Sequence, residues 1–459
     1  MSAAVDSTSL ADRLDAVVDG EVTAPGDAAY DEARQVFAAG IDKHPEAIVR
    51  PAHVDDVAAV VALAREFDIE LAVRGGGHSG AGHGTSDGVV LDLGELKDLD
   101  IDVEGRTAWA GAGLTAGEFT TAVAEHGLAA GFGDAGVVGI GGITLGGGVG
   151  FLSRAHGLTI DNLLAAQVVT ANGERLHVDA DNHPDLFWAL RGGGGNFGVV
   201  TRFQFRLHEV GQVHGGMLML AATPSAMRSV VRAAEAAPDE LSLIINVMSA
   251  PPMPFIPEAL HGSTVIMVVA CWSGAVDEGE RVLAPLRASG EVLADMIEPI
   301  PYAALLEDEV PARMPFTVAG RSAYTEEVTD AAIRAIIEQV STSDAALKVV
   351  HLRLMGGAID RVEADATAYA HRGARFMTNV ASSYDGAEDR REREAWISGL
   401  AELLEVGQPG VYVNFLADDG AARLEEAYPP HTLKRLREIK AAYDPDNVFQ
   451  VNHNISPTA

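Results

Sequence analysis

The stretch RGGGHSGAGHGTSDG, residues 74–88, sets one histidine, His78, among glycines between two apolar runs at 71–73 and 89–93. Glycine density between strands marks backbone that turns sharply or comes close to a ligand. An imidazole there is either incidental packing or is presented to whatever the loop wraps. Three more glycine clusters, at 139–142, 146–148 and 192–195, fall in the same half of the chain. Together such loops offer many backbone N–H groups, which bind pyrophosphate without needing lysine. GIGGITLGGGVG contains G-x-G-x-x-G, but no clean strand precedes it and no convincing acid follows about 20 residues on, so a dinucleotide fingerprint is set aside. His83 could pair with His78 on a metal, yet no third ligand stands at usable spacing, and no metal site is expected.

The elements that must position these groups follow from periodicity. AIVRPAHVDDVAAVVALAREFD reads as a strand, a proline turn, then a helix with Val57, Val60, Val61 and Leu63 on one face. LTAGEFTTAVAEHGL reads as a helix opened by Thr115 and stopped by Gly127. Asn172-Gly173 between β-branched runs predicts a hairpin, and NFGVVTRFQFRL alternates as a strand. After about residue 212 glycine thins, and strands such as STVIMVVACW alternate with long helices, which reads as a second α+β domain. The expected organisation is an N-terminal helical segment (1–44), a cofactor domain (45–211), a substrate domain (212–410) and a returning C-terminal segment (411–459).

Composition narrows the class. The 459 residues are 47% hydrophobic and carry 33 basic against 66 acidic side chains, a net charge of −33. Only five of the basic residues are lysine. A dispersed acidic surface that avoids lysine fits a high-salt habitat, where screening removes self-repulsion. Nucleic acid is excluded as a partner because no clustered positive charge is visible, and anionic membranes are excluded likewise. Cys271 is the only cysteine, which rules out an internal disulfide and a cysteine-based zinc site; within VIMVVACWSG it reads as a buried strand residue. With no signal-peptide pattern at the start and no run of eighteen apolar residues, a soluble cytoplasmic protein is expected.

Four blocks then carry a resemblance: RGGGHSGAGHGTSDGVVLDL, GVVGIGGITLGGGVGFLSRAHGLTIDNL, DLFWALRGGGGNFGVVTRFQF and YDPDNVFQVNHNISP. Their order resembles that of berberine-bridge-enzyme-like FAD-linked oxidases, whose flavin domain is shared with vanillyl alcohol oxidase and para-cresol methylhydroxylase (the PCMH type). The resemblance covers most of the chain and is weakest over 215–345. It implies FAD bonded through an imidazole nitrogen of His78 to the flavin 8α carbon. It further implies Arg74, Gly75, Gly76, Gly77 and Ser79 at the pyrophosphate. Ala135, Val138, Gly139, Gly141, Gly142, Gly146 and Val200 fall at further cofactor positions, as do Asn452 and Asn454 beside Phe449. Many members carry a second, cysteinyl tether where this chain has Ala135, so a single covalent link is expected. Val138 falls at the oxygen gate, where valine is typical of oxidases.

For catalysis, removing a hydride from carbon and a proton from oxygen needs a base near the ring. The resemblance points to Tyr412 in VYVNF, with Phe415 where a tyrosine is common, and to Asp360 in LMGGAIDRV; Tyr369 and His371 are expected in the same pocket. Read alone, Tyr412 is equally a core strand tyrosine and Asp360 a solvated loop acid. The expected fold is α+β: a PCMH-type FAD domain of two α+β subdomains and a substrate domain whose antiparallel sheet is backed by helices. The expected function is oxidation of a hydroxyl-bearing small molecule, with O2 or another acceptor reoxidising the flavin. A dehydrogenase on this scaffold, or a flavin holder without turnover, are the alternatives.

Overall fold

The computed structural model describes residues 9–252, 256–307, 313–407, 409–416 and 420–457, the last segment without the side chains of 420–422. Among the described residues three larger sheets, beside a two-stranded pair of Leu128–Ala129 with His208–Glu209, organise the chain. The first orders its strands Glu21–Thr23, Ala47–Arg50, Val89–Asp92 and Leu71–Arg74, the last three parallel. Parallel strands need a crossover: helix Val54–Glu66, burying Val57, Val60, Val61 and Ala64, carries the chain from Ala47–Arg50 to Leu71–Arg74, and the glycine loop 75–88 leads on to Val89–Asp92 between them. The expected N-terminal helical segment needs correction. Its first eight residues lie outside the described residues, and the rest holds short helices Leu10–Asp15 and Tyr30–Ala33 together with an edge strand of this sheet. Three strand residues with no periodicity of their own gave no local signal; pairing with Ala47–Arg50 makes them a strand.

The second sheet is antiparallel, in the order Leu99–Asp102, Thr107–Gly111, Val199–Arg206, Leu163–Val169 and Arg175–Asp179. Its last two strands form the hairpin at Asn172-Gly173, where Gly173 takes φ +80°. Helix Ala116–Ala124 starts with Thr115 in a capping box with Glu118. Phe119, Phe132 and Phe205 meet edge-to-face in the core.

The third sheet has eight strands, all pairs antiparallel. Six of them lie side by side in the order Gln212–Ala221, Thr264–Trp272, Leu241–Ser249, Lys348–Leu354, Phe376–Tyr384 and Thr317–Thr325, the last at the edge. Leu243, Ile245, Ile266, Val268, Val350 and Leu352 pack beneath helices Pro224–Glu235, Asp330–Thr342 and Gly386–Leu404. On the opposite face Arg353 reaches the cavity described below.

Two buried arginines hold this sheet against the other two. Arg372 donates to both carboxylate oxygens of Asp161, at 2.7 and 3.0 Å. Arg154 donates to the carbonyls of Leu241, Ala237, Pro238 and Met355. Helix Pro430–Tyr443 ends in a buried Lys440–Asp444 pair, whose ammonium also bonds the carbonyls of Asn196 and Phe449 at 2.8 and 2.9 Å. That one charge ties a glycine loop to the returning C-terminal segment. Among the described residues no helix is long and apolar enough to cross a membrane.

Candidate active site

A cavity of about 430 Å³ lies where the three sheets meet. Two glycine loops interlock at its wall. A Cβ on Gly76 would stand 2.3 Å from the Gly139 nitrogen, and one on Gly139 would stand 2.2 Å from the Gly76 nitrogen. No side chain fits there, so main chain alone faces the cavity. Gly77 turns through φ +68°, which glycine adopts without strain. Gly75, Gly76, Gly77, His78, Ser79, Val138, Gly139, Gly141, Gly142, Val200 and Asn452 all line the space. So do Gly193–Asn196 residues of the loop held by Lys440, a cluster whose sequence spacing was visible but whose partner was not.

His78 stacks on Phe37, centroids 4.3 Å apart and planes 21° apart, so its ring orientation is set. Burial lowers its pKa, which favours the neutral imidazole with a free lone pair. His83 and His453 also face the cavity and meet edge-to-face at 4.4 Å. Burial, with a smaller contribution from His83, pushes His453 down to about 3.

Tyr412 lines the same cavity. Its hydroxyl oxygen accepts from the Gly148 N–H and from Asn414 Nδ2, both at 2.9 Å. Burial raises its pKa; the N–H donors and the charge of Arg353 pull the other way. Arg353 lines the cavity, donates to the Val149 carbonyl at 2.7 Å and pairs with Asp134. Neither member of that pair was anticipated. The available signal was a charge inside the alternating strand KVVHLRL, on the face opposite Val350 and Leu352. Gly146 does not line the cavity but makes room for Asn414: a Cβ there would fall 2.1 Å from Asn414 Oδ1.

Several expectations are corrected. Asp360 is exposed and does not line the cavity. After Leu354 the chain leaves the sheet through Gly356 (φ +88°) and Gly357 (φ +66°), and these left-handed turns carry the acid away. The Arg74 side chain sits behind the loop, donating to the carbonyls of Gly84 (2.8 Å) and Ala33 (2.5 Å) beside Asp92. Ala135 and Asn454 do not line the cavity either: Ala135 closes the turn that places Val138, and Asn454 is exposed. Tyr369 and His371 stand behind Tyr412, not in the pocket. Tyr369 shares a 2.6 Å hydroxyl bond with Tyr324, which stacks on His371. Cys271 is fully buried, its thiol pushed up to about 12 by burial, and is inert.

A family described as "FAD binding domain" matches residues 45–179, and one described as "Berberine and berberine like" matches residues 411–456. An FAD-linked oxidoreductase of Dictyostelium discoideum is 30% identical over 425 residues, covering 90% of this chain and 89% of the relative. The (R)-6-hydroxynicotine oxidase of Paenarthrobacter nicotinovorans is 30% identical over 458 residues, covering 96% and 97%. The solved structure of 6-hydroxy-D-nicotine oxidase from Arthrobacter nicotinovorans superposes with a TM-score of 0.85 at 27% identity, covering 96% of this chain and 98% of that one. Glucooligosaccharide oxidase from Acremonium strictum shares the fold, with a TM-score of 0.84 at 23% identity over 97% and 100%.

Proposed function

The chain belongs to the berberine-like FAD-linked oxidoreductases, and from that premise we propose that it oxidises a hydroxyl-bearing small molecule with FAD tethered to His78. The observation that carries this reading is that His78 and Tyr412, distant in sequence, line one cavity. The residues fit the cofactor: interlocked glycines give main-chain N–H groups for a pyrophosphate, and the neutral imidazole is in the state that bonds carbon.

Bound there, FAD would supply the two-electron acceptor for oxidation of the substrate carbon, with O2 taking the electrons to give H2O2. Tyr412 Oη receives the substrate hydroxyl proton through its phenolate form. Gly148 N–H, Asn414 Nδ2 and the Arg353 guanidinium stabilise negative charge on that oxygen. Asp134 holds Arg353 in place. Val138 keeps a small side chain beside the cavity, which supports access by O2.

Oxidase and dehydrogenase separate without knowing the substrate. Holoenzyme reduced anaerobically with dithionite, freed of excess reagent and mixed with aerated buffer, is expected to regain its yellow colour within seconds, yielding one H2O2 per flavin. Reoxidation over many minutes would assign electron transfer to a different acceptor.

A further inference from the structure

The stretch of chain just before the FAD-binding match bears on how His78 is held. Residues 33–41 lie along the His78 loop and meet it at several points. Arg74 Nη1 donates to the Ala33 carbonyl, and the Phe37 N–H donates to the Gly77 carbonyl at 3.1 Å. Ile41 fills the side of Gly82 on which a side chain would stand, its atoms 3.0 and 3.1 Å from a Cβ placed there. Val36 is buried and comes within 3.9 Å of the same point on Gly77 and on Gly84. The segment is also held from the substrate domain: the Phe37 carbonyl accepts from the Met314 N–H at 2.9 Å, at the approach to strand Thr317–Thr325. Phe37 is thus pinned through both of its main-chain groups, and it lines the cavity. It lies outside the residues 45–179 that carry the FAD-binding match.

His78 itself has few restraints. Burial alone moves its pKa, and among the described residues no hydrogen bond or ion pair engages its imidazole. Rotation about the Cβ–Cγ bond of a histidine is broad, so an unbonded ring swings unless something packs on it. The Phe37 ring does so, with centroids 4.3 Å and planes 21° apart. A stack covers a face of the imidazole and leaves its edge open. Both ring nitrogens, one with the lone pair of the neutral form, lie at that edge.

Building on the FAD tether proposed above, we propose that Phe37 is the positioning residue for the tethering reaction: it fixes the plane of the His78 imidazole and so aims a ring nitrogen at the flavin 8α carbon. In that reaction a bond forms between the nitrogen and the carbon, while one C–H bond of the flavin 8-methyl group and the imidazole N–H bond break. The two electrons released pass to the flavin and from it to O2, which takes up both protons and leaves as H2O2. Phe37 exchanges no atom and no electron. It acts on the rate, by sparing the imidazole a search for the reactive orientation.

The test follows tethering itself, not turnover. Full-length chain made in riboflavin-starved cells is mixed with FAD in air; intact mass reports the tethered fraction over time, and absorbance of the desalted protein reports total FAD. Phe37→Leu keeps apolar bulk without an aromatic face, and Phe37→Tyr keeps the face. Phe37→Leu is expected to bind as much FAD as the wild type and to tether it about 10- to 100-fold more slowly. Phe37→Tyr is expected to tether within about threefold of the wild-type rate, since a phenol stacks as a phenyl does. Tethering by Phe37→Leu at the wild-type rate would overturn the inference, as would Phe37→Tyr as slow as Phe37→Leu. Loss of total FAD in step with tethering would also overturn it, because Phe37 would then only support the loop. A wild-type chain that binds FAD and never tethers it defeats the tether itself, and shows before any variant is compared.

Discussion

Tyr412 keeps its proton at neutral pH because burial pushes its pKa above the usual value, while every contact on its oxygen favours the anion. The base form therefore grows with pH, and kcat/KM is expected to climb through the alkaline range. Tyr412→Phe should lower kcat about 10²- to 10⁴-fold and remove that alkaline limb, with flavin content intact. Steady-state rates between pH 6 and 10 check both. At this scale the sequence was legible where a residue's local setting explained it. His78 stood out because glycines surrounded it, whereas Tyr412 came only through the family resemblance; both line the cavity. Arg353 and Asp134 did not, since their pairing joins positions 219 residues apart. Asp360 misled because the direction of a loop acid depends on glycine dihedrals that composition does not reveal.

The two glycine loops act as one element, since each occupies the space the other's side chain would need. Gly139→Ala forces main chain apart, at a cost of about 1–3 kcal/mol or more. It is expected to lower both the Tm and the FAD content of the purified protein. Gly80→Ala, in the same loop with nothing within 4 Å of its Cβ, should change neither. Thermal melts and flavin-to-protein absorbance ratios on both variants decide it; equal loss in the two would contradict the interlock. Elements with local punctuation were readable from sequence: the helix start at Thr115, the Asn172-Gly173 hairpin and the helix after the proline turn all stand where expected. Sheet order was not, because pairing such as Glu21–Thr23 on Ala47–Arg50 is non-local. The loop clamp around Lys440 was equally hidden, since it links a helix to a turn through one buried ammonium.

Across the whole molecule, titration and charge set the conditions of stability. Burial holds His351 and His453 near 3 and His208 near 4 in the folded state, against about 6.5 in the unfolded chain. The unfolded state therefore binds more protons below 6.5, and stability is lost as pH falls from there toward 4. The Tm is expected to drop steadily across that window; a flat profile would show these rings are not buried neutral. The net charge of −33 adds self-repulsion that salt screens. The Tm should accordingly rise between 0.1 and 2 M NaCl, and a fall would argue against charge as the limiting factor. The fold class was legible at this scale because four sequence blocks carried a resemblance, while the strand order of the eight-stranded sheet was not, since it emerges only from non-local pairing. The central claim is that His78 holds the flavin, and the most direct measurement is intact mass with denaturing-gel fluorescence on the wild type and His78→Ala. The account predicts a fluorescent wild-type band carrying the mass of FAD and a dark variant at the polypeptide mass. A wild-type chain that releases its flavin on denaturation, or a variant that keeps it, would contradict the account.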